Sequence, residues 1–131
     1  MLHKHSDFEP AFEELVHRVI GCCIAVHREL GPGLIEAAYA RAVRVELMAS
    51  NLSFESEKRY PIRYREKTVY VHRLDLVVER QMLVELKCVD SLHPVHHAQV
   101  RSCLKVSKLR LGLLVNFNVA VLPQGIKRIV L

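Results

Sequence analysis

Residues 73–87 read Arg-Leu-Asp-Leu-Val-Val-Glu-Arg-Gln-Met-Leu-Val-Glu-Leu-Lys. The flanking runs Thr68–Val78 and Met82–Val89 are rich in leucine and β-branched residues, and the polar break Glu79-Arg80-Gln81 joins them as a hairpin. Inside these greasy strands stand Asp75, Glu85 and Lys87. A charge taken out of water without a partner is very costly, so three of them at such spacing call for a site. Asp75 and Glu85 fall on neighbouring strands and approach each other across the turn. Two facing carboxylates repel unless a cation sits between them. Mg²⁺ or Mn²⁺ suits that place, because both take oxygen ligands and keep several waters. Glu85 and Lys87 are two apart and emerge on one face of their strand. Lys87 would then stand beside the metal, where it can position a water and offset charge on a phosphate. The carbonyl of Leu86, between them, is a further candidate ligand. Metal, activated water and lysine together describe hydrolysis of a phosphodiester. The spacing Asp-x9-Glu-x-Lys alone is a loose pattern, better served by an ordinary ion pair at an open strand edge.

Outward from the hairpin, apolar positions between Pro10 and Leu30 recur near a period of 3.6, which predicts an amphipathic helix. Ser6 or Asp7 is the expected cap, and Gly31-Pro32-Gly33 the stop. A second helix is expected over Ile35–Ser50, ended by Asn51. Phe54–Tyr64 carries strand formers and Pro61, which suits an edge or a strand start; Arg65-Glu66-Lys67 is a polar turn. Val95–Ser107 reads as a helix behind His93-Pro94. Leu109–Phe117 is a solid apolar run, expected to be a buried strand of parallel type, and Ile126–Leu131 is a candidate last strand. The fold class is therefore α/β, a mixed sheet flanked by helices, in one domain over residues 1–131.

Half of the residues are hydrophobic and a quarter charged, which is globular composition rather than disorder. No stretch approaches the roughly 20 apolar residues that cross a bilayer, and the first ten residues lack the apolar core of a secretory signal. The expectation is a cytoplasmic protein with no membrane partner. Cys22, Cys23, Cys88 and Cys103 form no CxxC, so a zinc ribbon is disfavoured and reduced, buried thiols are expected. A net charge of +5 favours polyanions such as nucleic acid. The absence of tryptophan argues against a stacking platform for single strands.

The order of helices and strands, with Asp75 and Glu85-Leu86-Lys87 on consecutive strands, resembles the PDDEXK (restriction-endonuclease-like) nuclease superfamily and its αβββαβ core. Over nearly its whole length the chain resembles the small bacterial GxxExxY proteins of that superfamily. Their motif stands here as Gly33-Leu34-Ile35-Glu36-Ala37-Ala38-Tyr39. Matching segments follow at Arg73–Leu76, Val84–Lys87, Pro94–His96 with Ala98-Gln99, Leu111–Phe117 and Gly125–Arg128. The resemblance implies a divalent-metal-dependent nuclease acting on DNA, with RNA a less favoured substrate. It makes Glu36, Asp75 and Glu85 metal ligands, Lys87 the catalytic lysine and Gln99 a residue facing the site from the following helix. Exonuclease-type members often carry a tyrosine four residues after that glutamine; here the position is Cys103.

Other readings compete. His93, His96 and His97 could gather at a helix start around zinc, although an idle, partly exposed cluster is the simpler account. Arg59, Arg63, Arg65, Lys67 and Arg73 suit a phosphate track on the hairpin, and equally a solvated face. A nuclease fold that binds nucleic acid or a protein partner without cleaving, and a structural oligomer with plain ion pairs, both remain open. So small a chain leaves little surface for gripping a duplex, which a homodimer would supply.

Overall fold

The computed structural model of the protein describes residues 8–131. Helix α1 (Pro10–Leu30) begins at a proline, whose fixed φ and missing N–H suit the first helical position. The expected caps Ser6 and Asp7 lie outside the described residues; the N-cap is Glu9, without a side-chain cap bond. Gly31 ends the helix at φ 67°, a conformation that costs glycine little. Helix α2 (Glu36–Ala49) buries Tyr39, Val43 and Leu47, four apart on one stripe, and stops before Asn51 at φ 56°.

Five strands follow: β1 (Phe54–Tyr64), β2 (Lys67–Val78), β3 (Met82–Lys87), β4 (Leu111–Asn116) and β5 (Ile126–Ile129). They form one sheet in the order β1-β2-β3-β4-β5. Only β3 and β4 are parallel. Parallel neighbours need a long crossover, and helix α3 (Pro94–Ser107) supplies it. A short 3₁₀ turn at Leu122–Gly125, which the sequence pattern does not announce, leads into β5.

Alternation along β3 sorts the two faces. Val84 and Leu86 join α1 and α2 in one core with Val16, Val43 and Val115. Leu83 joins Val100 and Leu104 of α3 in a second core on the opposite face. Each fully buried side chain of this kind stabilises the fold by about 1.5–3 kcal/mol, so the sheet is held from both sides. The start of α1 is also tied to the far strands: Arg110 forks onto Glu9 at 2.6 and 2.5 Å, and Arg128 onto Glu13 at 2.8 and 2.6 Å.

The ladders of β2 are unequal. It pairs with β1 from Tyr64–Lys67 to Phe54–Val78, but with β3 only over Leu76–Val78. The outer half of the β1–β2 hairpin is therefore a two-stranded arm with an open edge, and Tyr64, Val69, Tyr70 and Val71 are exposed on it. Pro61 sits in β1, an edge strand, as its missing donor requires.

Candidate active site

The β2–β3 ladder stops at Leu76–Val84, and the same register carried one step further sets Asp75 opposite Glu85. There the strands part and carboxylates take over from backbone pairing. Glu85 Oε1 accepts the Asp75 N–H at 3.1 Å, and Asp75 Oδ2 accepts the Leu86 N–H at 2.8 Å. Each acid thus spends one oxygen pinning the opposite strand.

Strict alternation would turn Asp75 toward α3 together with Val77. The strand departs from that rule: Leu74 and Val77, three apart, both pack into the α3-side core, while Leu76 packs on the α1–α2 side. The β1–β2 register skips the Glu57–Asp75 pair at this point, and Glu57 has φ 55°. A left-handed glutamate within a strand is strained by roughly 1–3 kcal/mol. The irregularity lets Asp75 share a cavity with α2 while Glu85 faces α3.

Two cavities flank the pair. One of about 260 Å³ is lined by Glu36, Ala37, Ala40, Arg41 and Arg44 of α2 with Glu57, Asp75, Leu76 and Leu86. The other, about 550 Å³, lies in the notch between the open edge of β2 and α3. Its walls include Tyr70, His72, Arg73, Glu85, Lys87, Gln99 and Cys103. Glu85 and Lys87 do share one strand face, as their spacing requires, and Gln99 meets them from α3. Sequence reasoning missed Glu57, which carried no signal beyond being one acid among several in β1. It also missed His72, whose Nε2 lies 3.1 Å from Ser102 Oγ on α3.

Burial dominates the electrostatics. It pushes Glu85 up to about 8, helped by the charge of Asp75 and opposed by Lys87. Asp75 is also raised, first by burial, while the Leu86 amide, Lys87 and a hydrogen bond with Glu85 pull it down. At neutral pH the pair thus favours one shared proton over two bare charges. Glu36 is raised by burial and by Asp75, and lowered by Lys87, so all four groups feel one another. The Cys103 thiol is pushed up to about 11 by burial and then by Glu85, which leaves it protonated and unreactive at neutral pH.

Glu36 owes its place to the turn before it. Tyr39, fully buried, donates from its hydroxyl to the Gly31 carbonyl at 2.5 Å and accepts the Leu34 N–H at 3.2 Å. Its ring stacks on Phe117 with centroids 4.6 Å apart. This ties the α1–α2 turn, with Gly33 at φ 105°, to the end of β4 and sets Glu36 as the first residue of α2.

His93, His96 and His97 stand at the start of α3. His96 Nδ1 accepts the His93 N–H at 2.9 Å and so helps start α3. Among the described residues no three His, Cys, Asp or Glu side chains converge within metal-binding reach. That holds for the carboxylates too: Glu36 and Asp75 line one cavity and Glu85 the other. The donor set nonetheless fits Mg²⁺ or Mn²⁺ in chemistry, being hard oxygens from an acid pair that needs a counter-charge. The four cysteines are free thiols, three buried and Cys88 half-buried, and no helix among the described residues is long and apolar enough to cross a membrane.

No curated protein and no solved structure is significantly similar to the chain. The family model for the PD-(D/E)XK nuclease superfamily, by contrast, matches residues 13–129, from early α1 through the last strand. With that span and the paired acids at the parting of β2 and β3, the chain belongs to the PD-(D/E)XK nuclease superfamily.

Proposed function

We propose that the protein is a Mg²⁺- or Mn²⁺-dependent nuclease that hydrolyses phosphodiester bonds in DNA, with RNA the less favoured substrate. The observation that carries this reading is the Asp75–Glu85 pair at the open end of the β2–β3 ladder, with Lys87 on the same face as Glu85. Glu36, Asp75, Glu85 and the Leu86 carbonyl are the groups that would hold the ion, which when bound supplies Lewis acidity and an acidified water. Lys87 stands beside the reacting phosphate and orients the attacking water. Gln99, with one amide donor pair and one acceptor, aligns water or substrate from α3. Groups fixed in this way act where charge develops, and removing one such donor costs about 10²–10³ in rate.

We place the chain among the GxxExxY proteins on Gly33, Glu36 and Tyr39, and in the cytoplasm, where its free thiols stay reduced. A homodimer belongs to the same reading, because it supplies the surface that a duplex needs. Purified protein should cleave DNA with Mg²⁺ or Mn²⁺ and lose cleavage as Asp75→Ala or Lys87→Ala, with melting curves showing both variants folded. Activity surviving in both variants would sink the assignment. One observation favours a second reading, a silent module that binds nucleic acid without cutting: no three acids converge among the described residues. DNA binding indifferent to divalent ions, with no cleavage, selects that reading.

A further inference from the structure

We infer that the stripe of α2 beyond Glu36 seats the substrate strand, with Arg41 and Arg44 each binding a phosphate further along the strand whose reacting phosphate is held at the acids. This rests on the nuclease reading above. Glu36, Ala37, Ala40, Arg41 and Arg44 follow one another at helical spacing and line the same cavity as Glu57 and Asp75. Arginines beside three carboxylates would ordinarily pair with them. Among the described residues, the ion pairs join Glu55 to Lys58, Glu9 to Arg110 and Glu13 to Arg128, and neither Arg41 nor Arg44 has a partner. Their guanidinium forks are free for the bidentate contact that phosphate oxygens fit.

Between the acid and the arginines lie Ala37 and Ala40, which leave the helix face low enough for a sugar-phosphate chain to approach. The 1.5 Å rise per residue puts Arg41 and Arg44 about 7.5 and about 12 Å beyond Glu36 along the axis. For a duplex lying along α2, at about 3.4 Å of axis per phosphate of one strand, that is about two and about three and a half steps. The arginines also offset the acidic wall that would otherwise repel a polyanion. Arg59 and Arg73 face each other on the β1–β2 arm, also without partners among the described residues, and form the competing surface.

The test measures binding of labelled oligonucleotides by fluorescence anisotropy, with Ca²⁺ as the oxygen-seeking divalent ion, from about 50 to about 200 mM salt. For Arg41→Gln/Arg44→Gln the slope of log affinity against log salt should fall by about 1.8 on duplex, or about 1.4 on a single strand. The melting shift produced by Mn²⁺ should stay as in wild type, since the acids are untouched. Arg41→Lys/Arg44→Lys, keeping charge without the fork, should hold the slope while affinity drops. An unchanged slope in the glutamine variant, with the loss found instead in Arg59→Gln/Arg73→Gln, overturns the assignment to α2. Wild-type protein showing no salt-dependent binding to DNA or RNA overturns the nuclease reading and this inference together.

Discussion

Replacing Glu85 by glutamine should stabilise the protein at neutral pH while abolishing its chemistry. Glu85 is raised to about 8 by burial and by the facing Asp75. The charge of Glu36 on α2 adds a smaller upward push, Lys87 shares its strand face and Cys103 stands on α3. For an acid whose folded value lies above its unfolded one, folding binds a proton, so stability is greatest below the unfolded value near 4.5 and is lost as pH rises toward about 8. Each tenfold change in a protonation equilibrium corresponds to about 1.4 kcal/mol. Because pH 7 stands roughly 2.5 pH units above the unfolded value, the penalty there is on the order of 3 kcal/mol. The glutamine of Glu85→Gln carries no such charge, keeps the shape and can still donate to Asp75. Denaturant unfolding of both proteins in chelator, from about pH 4.5 to about pH 8, should show curves that meet at the acid end and diverge by about 3 kcal/mol at pH 7. Parallel curves, or a wild type that is the more stable at pH 7, would refute the buried-acid reasoning. A stability gain at the cost of activity is the usual mark of a functional site.

Tyr39→Phe keeps the stack on Phe117 but removes both hydroxyl bonds, and should cost about 1 kcal/mol by thermal melting; with Glu36 loosened, Mn²⁺ affinity by calorimetry should fall as well. A Cβ at Gly112 would lie 2.6 Å from Val100 Cγ1, so Gly112→Ala should destabilise by about 1–3 kcal/mol. Adding Val100→Ala should recover part of that loss in a double-mutant cycle, and strict additivity would refute the contact. Buried Asn116 accepts the N–H groups of Val89 and Asn118 and donates to the Val89 carbonyl. Asn116→Ala should cost about 2–3 kcal/mol in denaturant unfolding, because the Val89 and Asn118 N–H groups lose their acceptor.

The hairpin, the helices and the parallel run of β4 were all legible, because solid apolar runs and a 3.6 period report burial directly. Glu85 and Lys87 were legible as a pair because β3 keeps strict alternation. Asp75 was not placed so readily. Its direction depends on the break opposite Glu57, a cross-strand feature that neither strand announces by itself. Glu36 needed the family motif, since a first-turn glutamate is ordinary on any helix. Arg41 and Arg44 were passed over for a similar reason. Charges on an amphipathic helix read as solvated until the cavity shows them sharing a wall with acids. For the histidine cluster, sequence proximity left zinc as the lesser alternative to an idle cluster, and it did not announce that His96 turns its ring to the helix start.

Everything proposed for the site requires that the acids at the parted strands bind a divalent ion next to Lys87. A crystal soaked in Mn²⁺ and studied by anomalous scattering tests it most directly. A single strong peak is expected between Asp75 and Glu85, within about 2.0–2.6 Å of carboxylate oxygens and beside the Leu86 carbonyl, with Glu36 swung toward it. Well-ordered acids with no peak at millimolar Mn²⁺, or a peak held only by His93, His96 or His97, would contradict it.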